Sequence, residues 1–552
     1  METYTIGVDF GSLSCRAVLA DTRTGRVLAS ESMAYPHGVM DTVLAVNRKP
    51  LPTDYALQDP ADYLLVLETV LPAVMRAAGV SPELVVGIGI DFTCCTMLPV
   101  DKNGEPLCFQ ACFREEPQAY VKMWKHHAAQ AYADRINAVA VARGEPWLSL
   151  TGGAVSAEGM LPKLYQTLAE APQVYEAAAA FMEVGDFITY QLTGVPVCSY
   201  QLAAYKTQYD KKNGYPSEEF LAAVDERLRY AVRDKLPFPI RGAGEAVGRV
   251  TPAAARRFGL SVGTVVATAM ADAPVAAFAL DTCRAGEAFG VFGTSACFFV
   301  LGKDSLPVHG ICGTAADGVV PGLVGYEAGL CCFGDHFAYA ADRLTSPCYV
   351  KEAEARGMPM LQLLLEKAAK KAPGESGVLA LNWFNGNRSV LIDAELSGLF
   401  VGLTLSTAPE DLMRALVEAT AFGTRNIFDT FREAGVTVDG LVAAGGVARK
   451  DPFTMQLFAD VLGFPIRIAA TDEAPALGSA VNAAVAAGVY PSFAEAIPAM
   501  SAVSDTVYRP NEKSKAVYDR LYREYKRLHD CFGRGENDVM RVLRAIRKGA
   551  IE

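Results

Sequence analysis

The sequence predicts an α/β protein built as two domains around a cleft. Three observations carry that reading. Apolar runs of strand length alternate with segments of helical periodicity along all 552 residues, the pattern of sheets covered by helices. A short device of buried strand, glycine-and-hydroxyl turn and returning strand occurs near the start (GVDFGSLS, 7–14) and again near the middle (GVFGTSAC, 290–297). The chain is also longer than the roughly 250–300 residues that one hydrophobic core serves.

Taken in order, residues 4–9 form a strand ending in the tight turn Gly11-Ser12, 15–21 the returning strand, and 26–34 a third. Residues 36–60, rich in Pro, Gly and Asp, make an irregular excursion. Residues 62–78 are helical, with Asp59-Pro60 before them and Gly79 after. Strands follow at 85–91 and 96–100, then a turn at 101–104. The stretch 118–142, containing MWKHHAAQAYADR, is expected to be helical, as is 161–192 beyond the break at Gly152-Gly153. Residues 205–216 are polar and turn-rich, placed at the surface or around a cleft. A helix at 217–231 and a strand near 265–269 complete the first half.

In the second half, strands at 287–291 and 296–301 flank the turn Gly293-Thr294-Ser295, and turns and strands alternate over 310–329. Residues 408–434 read as one long amphipathic helix. Strand 441–444 leads into Gly445-Gly446, and helix 451–462, strand 465–468, helix 479–487 and helix 511–530 follow. The expected domains are 1–275 and 276–530, with a peripheral basic tail at 531–552.

A net charge of -11 argues against a nucleic-acid surface, which needs concentrated Lys and Arg. The first residues lack a basic segment followed by an apolar stretch, so no secretory signal is expected there. The apolar run 265–280 is slightly short for a membrane span and carries Asp272 near its middle. Thirteen cysteines occur without a CxxC pair, and Cys94-Cys95 and Cys331-Cys332 are vicinal, poor geometry for disulfides or tetrahedral zinc. Free thiols imply a reducing compartment, so the expected address is the cytoplasm.

No GxxxxGK[ST] sequence exists, which excludes a P-loop kinase, and Gly87-Ile-Gly89 lacks the third glycine of a dinucleotide fingerprint. The two strand-turn-strand loops remain, with amides and hydroxyls suited to phosphate oxygens. Asp9 in the first can hold Mg²⁺ through water. Asp272, the one charge in its apolar run, needs a partner or a task. From the residues alone it is either the N-cap of a helix carrying Pro274 in its first turn, or a catalytic carboxylate.

Taken together, the motifs resemble the FGGY carbohydrate kinases. Gly7-Val-Asp9-Phe-Gly11-Ser-Leu-Ser14-Cys-Arg16 looks like that family's first phosphate loop. The segments 91–93, 124–130, 185–186, 310–313, 325–329 and 381–389, with Gly445-Gly446 and 474–478, continue the match over roughly 4–530. The long motifs 124–130 and 382–389 are those of ribulokinase-like members. The resemblance implies two actin-like (ribonuclease H-like) ATPase domains flanking a cleft, with ATP and Mg²⁺ as cofactors. It implies Asp272 as the base and Trp124, Lys206, Asp272 and Glu327 as sugar contacts. It further implies Gly11, Ser12, Ser14, Arg16, Gly293, Thr294, Ser295, Gly445 and Gly446 at the nucleotide. His126 and His127 are expected to pack or support the site.

The expected reaction is phosphorylation of a ketopentose, first L-ribulose to L-ribulose 5-phosphate in arabinose catabolism, otherwise D-ribulose, xylulose or ribitol. A catalytically silent actin-like sugar or nucleotide binder is the alternative of another class. The expected partners are a small-molecule sugar and ATP, without nucleic acid or membrane, and a homodimer is allowed. Departures from the family pattern cluster on the sugar side: Leu13, Cys94-Cys95, Pro274, Leu330 and the segment 153–159, which lacks the usual Lys and Trp.

Overall fold

The computed structural model describes residues 2–535 and 537–549. Two seven-stranded sheets form its frame. In the first, β1 (Tyr4–Phe10) pairs antiparallel with β2 (Ser14–Asp21), which pairs with β3 (Val27–Ala34). On its other side β1 runs parallel to β4 (Val85–Phe92). Strands β5 (Ala246–Arg249) and β6 (Val265–Ala267) extend that edge, and the short β7 (Met270–Ala271) also pairs with β4.

The second sheet contains β8 (Glu287–Phe292), β9 (Ala296–Gly302), β10 (Gly313–Ala316), β11 (Val324–Leu330), β12 (Gly440–Ala444), β13 (Ile466–Ala469) and β14 (Val503–Tyr508). Its order is β10-β11-β9-β8-β12-β13-β14. Here β8 meets β9 antiparallel across Gly293–Ser295 and β12 in parallel. The first sheet does the same with β1, β2 and β4, so the repeated device opens two equivalent sheets. Strands β1, β4 and β8 are buried almost throughout because helices cover both faces.

The helices that position the site are α1 (Pro60–Ala78), α2 (Met160–Glu170), α3 (Val184–Thr193), α4 (Tyr200–Lys206), α5 (Asp272–Ala279), α6 (Pro409–Glu433), α7 (Ala474–Ala486), α8 (Glu512–Gly533) and α9 (Val539–Gly549). Helix α1 starts on Asp59, whose side chain accepts from Ala61 N, and stops at left-handed Gly79. Helix α6 drives Phe422, Ile427, Phe428 and Phe431 into the core of the second sheet.

Helix α7 falls between β13 and β14 of the second sheet in sequence but lies on the first. The approach is backbone to backbone. A Cβ on Gly7 would fall 1.7 Å from Ala476 O, and one on Gly89 2.0 Å from Ser479 O. Gly87-Ile-Gly89 is thus a landing strip for a helix. Ser479 Oγ donates to the buried Asp91 at 2.7 Å, and Asn482 Nδ2 donates to Thr268 O at 2.9 Å. Helix α5 packs beside α7 with residues 274–279 buried, which explains its apolar sequence.

Three expectations are corrected. Of 118–142 only Gln130–Arg143 is helical, because Val121–Lys122 instead pairs as a strand with Leu57–Gln58. Lys122 is buried, donating to Lys163 O and Thr167 Oγ1 at 3.0 and 2.7 Å. Within 161–192 the strand Ala180–Glu183 intervenes and pairs with Met97–Val100, a short apolar run whose periodicity does not separate strand from helix. Asp272 is the first residue of α5 rather than its N-cap, which is Ala271; its Oδ1 accepts from Ala273 N at 2.8 Å. In the basic tail, residues 539–549 form α9, with Met540 buried and Arg541 Nε donating to Asp393 at 3.0 Å. Residues 536 and 550–552 of that tail lie outside the described residues.

Candidate active site

Asp272 stands where β7 hands over to α5, at the wall of a cavity of about 210 Å³ between the two sheets. Trp124, Lys206, Glu327, Ser12 and Ser295 open onto the same cavity. Residues separated by up to 315 positions along the chain therefore share one small space.

Each is held by a different element. Trp124 lies in the loop after Val121–Lys122, where its Nε1 donates to Ser12 Oγ at 2.9 Å and ties the aromatic wall to the β1–β2 turn. Lys206 ends α4, and Glu327 sits mid-strand in β11, opposite Phe299 on β9. Lys206 Nζ and Glu327 Oε2 are 3.3 Å apart, an ion pair spanning the two halves. Burial works against the Lys206 ammonium, but Glu327 and the neighbouring thiols hold its pKa well above the ordinary lysine value.

The Asp272 carboxyl is pushed up to about 7, chiefly by burial and then by the charge of Asp9. Glu327 adds to this, while the Ala273 amide and Lys206 oppose it. Asp9, at the end of β1, is register partner to Asp91 on β4 and to Arg16 on β2. Burial raises its carboxyl as well.

The phosphate-type loops surround this point. The β1–β2 turn is closed by Gly11 N donating to Ser14 O at 3.0 Å, and Tyr35 Oη donates to Gly11 O at 2.9 Å. The β8–β9 turn is closed by Gly293 N to Ser295 O at 2.9 Å, with Phe333 N donating to Thr294 O at 2.8 Å. Gly445 follows β12, the parallel neighbour of β8, with φ 101° and its Cα against the Phe292 carbonyl. A Cβ there would come within 2.4 Å of Phe292 O, so only glycine brings this turn beside the Gly293 loop. Of these loop residues, only Ser12 and Ser295 line the cavity. Arg16, paired with Asp9 across β1 and β2, lies outside the cavity lining, its Nε 3.9 Å from Glu473 at the start of α7.

Sequence reasoning missed Glu158, Arg388, Tyr205 and Cys297, which also line the cavity. Glu158 belongs to the segment noted only for lacking Lys and Trp, and Arg388 to the long motif 381–389. Burial pushes the Glu158 carboxyl up, yet His127, 3.5 Å away, with Arg388 and Lys206, outweighs it and brings it down to about 2. His126 is buried in support: Ala56 N donates to its Nδ1 at 3.2 Å, so Nε2 carries the proton to Gln166 Oε1 at 2.9 Å. Of the departing residues, Pro274 and Cys94-Cys95 line the cavity, Leu13 is exposed on the β1–β2 turn, and Leu330 is buried in the core.

Among the described residues no group of three or more His, Cys, Asp or Glu can hold a metal by itself, and no helix is long and apolar enough to cross a membrane. Asp9, beside Asp91, suits a Mg²⁺ ion completed by water and phosphate oxygens, since that ion keeps most of its waters.

Residues 4–279 match the N-terminal domain of the FGGY family of carbohydrate kinases, and residues 288–487 its C-terminal domain. The chain is 46% identical over 539 residues to a ribulokinase from Bacillus licheniformis, covering 97% of this chain and 98% of that protein. It is 46% identical over 548 residues to a ribulokinase from Halalkalibacterium halodurans, covering 99% and 97%. Among solved structures it resembles a xylulose kinase from Rhodospirillum rubrum, with TM-score 0.75, 24% identity and coverage of 95% and 98%. A gluconate kinase from Lactobacillus acidophilus gives TM-score 0.78, 19% identity and coverage of 97% and 99%. These two likenesses speak to the fold, which is the expected two-domain α/β architecture. The chain is a carbohydrate kinase and belongs to the FGGY family.

Proposed function

We propose that this kinase phosphorylates a ketopentose at its terminal hydroxyl, with L-ribulose the first candidate and L-ribulose 5-phosphate, an intermediate of arabinose catabolism, the product. The observation that carries the reading is the shared cavity: a carboxylate at a helix start, an indole face and an opposed Lys–Glu pair in one small space. The two relatives named above, both ribulokinases of matching length, support the choice of sugar.

Kinases of this family use ATP with Mg²⁺, and phosphoryl transfer then asks the protein mainly for alignment and charge stabilisation. Asp272 accepts the proton of the attacking hydroxyl as its oxygen bonds to the γ-phosphorus and ADP leaves. Trp124 offers the sugar a stacking face, while Lys206 and Glu327 exchange part of their mutual contact for sugar hydroxyls. The turns bearing Gly11, Ser12 and Ser14, with Arg16, and those bearing Gly293, Thr294 and Ser295 present donors for phosphates. Gly445 and Gly446 make room for the nucleoside. Asp9 would hold the Mg²⁺, whose contribution is to neutralise phosphate charge.

The sugar lies mainly with residues 1–275 and the nucleotide mainly with 276–530, the boundary falling inside α5. Thirteen free cysteines favour a reducing compartment, and we place the enzyme in the cytoplasm. ADP release measured across a panel of ketopentoses and polyols tests the reading. L-Ribulose is expected to give the highest kcat/KM; a panel in which no sugar elicits ATP turnover would sink it.

A further inference from the structure

Cys94 and Cys95 have no part in phosphoryl transfer, yet both open onto the cavity beside Lys206 and Trp124. Adjacent side chains on a strand point to opposite faces, so two neighbours share one space only where the chain turns. Here β4 ends at Phe92 and Cys95 takes φ 64°, a left-handed conformation uncommon outside glycine. The buried Lys163 pins the turn, donating from Nζ to Cys95 O at 2.5 Å and to Met123 O at 2.9 Å, next to Trp124. Two thiols are thereby fixed on one wall of a small cavity.

The backbone decides what such a pair accepts. A disulfide wants Cα atoms about 4.4–6.8 Å apart, whereas a trans peptide holds neighbours at about 3.8 Å. Direct oxidation of the pair is therefore strained. A trivalent soft atom bonded to both sulfurs needs no S–S bond and spans the pair with less distortion. The hydrogen bond to Cys95 and burial hold the Cys94 thiol well above the ordinary value. At Cys95 burial is outweighed by the contact with Cys94 and the charges of Lys206 and Lys163, which set it below, so the pair offers one reactive thiolate beside one thiol. The other vicinal pair lacks these features: Cys332 Sγ is engaged 3.2 Å from His336 Nδ1, and neither Cys331 nor Cys332 lines the cavity.

We propose that Cys94 and Cys95 form a dithiol modification site for small trivalent arsenicals, arsenous acid being the simplest. In that reaction two As–S bonds form and two As–O bonds break. Each thiol proton leaves with a hydroxide as water, and no electrons are transferred. The adduct fills space beside Lys206 and so competes with the acceptor sugar, a consequence that rests on the reading of the cavity given above.

The test treats the full-length protein with sodium arsenite and counts bound arsenic by native mass spectrometry, with the modified cysteines mapped after digestion. One arsenic per chain on Cys94–Cys95 is expected, lost in Cys94→Ser and in Cys95→Ser. Mapping of the wild-type protein decides the matter even where a variant fails to fold. Arsenic on Cys331–Cys332, none bound, or unchanged stoichiometry in both folded variants overturns the site. Hydrogen peroxide at equal concentration is expected to form no Cys94–Cys95 disulfide; such a disulfide forming faster than the arsenic adduct overturns the choice of ligand. Saturating L-ribulose is expected to slow labelling. If labelling maps to the pair and no sugar of the panel slows it, the dithiol site stands and the placement of sugar in this cavity falls.

Discussion

Asp272, the proposed base, keeps its proton in mild acid, because burial and the charge of Asp9 raise its carboxyl to about 7. A base with that value is largely protonated in mild acid, so kcat/KM for the ketose should rise with pH through about 7. Asp272→Asn should lower turnover by roughly 10²–10⁴ and abolish that limb while leaving nucleotide affinity intact. Undiminished ADP release in the variant would remove the residue from the base role. The same shift has a stability consequence of definite sign. The folded state binds the Asp272 proton more readily than the unfolded chain. Its stabilising contribution is therefore complete below the unfolded value near 4 and lost as pH rises through about 7. The Asn variant escapes that loss, so its melting temperature should gain on the wild type between pH 5 and pH 8. A difference independent of pH would remove burial as the cause.

At the scale of elements, the closest packing in the site's support is α7 on β1 and β4. Gly89→Ala places a methyl group where Ser479 O already stands, and neither backbone moves without disturbing the Asp91–Ser479 hydrogen bond. Destabilisation of about 3 kcal/mol is expected, read by urea unfolding; a neutral substitution would show that the helix floats on the sheet. These elements differ in how far the sequence disclosed them. Strands such as 85–92 and the Asp59–Gly79 bounds of α1 were legible because their patterning and caps are local. Gly87-Ile-Gly89 was legible only as a failed nucleotide motif, since its partner helix lies nearly 400 positions away. The composition of MWKHHAAQAYADR predicts a helix at Trp124. Strand pairing of Val121–Lys122 with Leu57–Gln58, and the burial of Lys122, override that local preference. By their residues alone, Lys206 in its polar loop reads as a solvated charge and Glu327 between glycines as a turn residue; the fold sets them 3.3 Å apart.

The whole molecule is two sheets locked by α7, which belongs to the second half and covers the first sheet, and this determines how it unfolds. Helix α7 is buried on nearly every side, from Ala474 to Ala484, because the first sheet covers one face and α5 another. Unfolding the first half would leave that helix without its sheet, and unfolding the second would strip β1 and β4 of their cover. Neither half can melt without exposing an apolar surface that the other buries, so the cost of separating them exceeds that of losing both together. Calorimetry of the sugar-free protein should therefore show one transition, with calorimetric and van't Hoff enthalpies equal. Residues 1–286 expressed alone should fail to give a cooperative melt, because they lack α7. Two resolved transitions in the full chain, or a stable isolated first half, would show that α7 merely rests against its sheet. A motion that opened and closed the cavity would turn about the α5–α7 contact while leaving it intact. That places the variable part of the cleft where Lys206 faces Glu327, the ion pair that sugar binding is proposed to loosen.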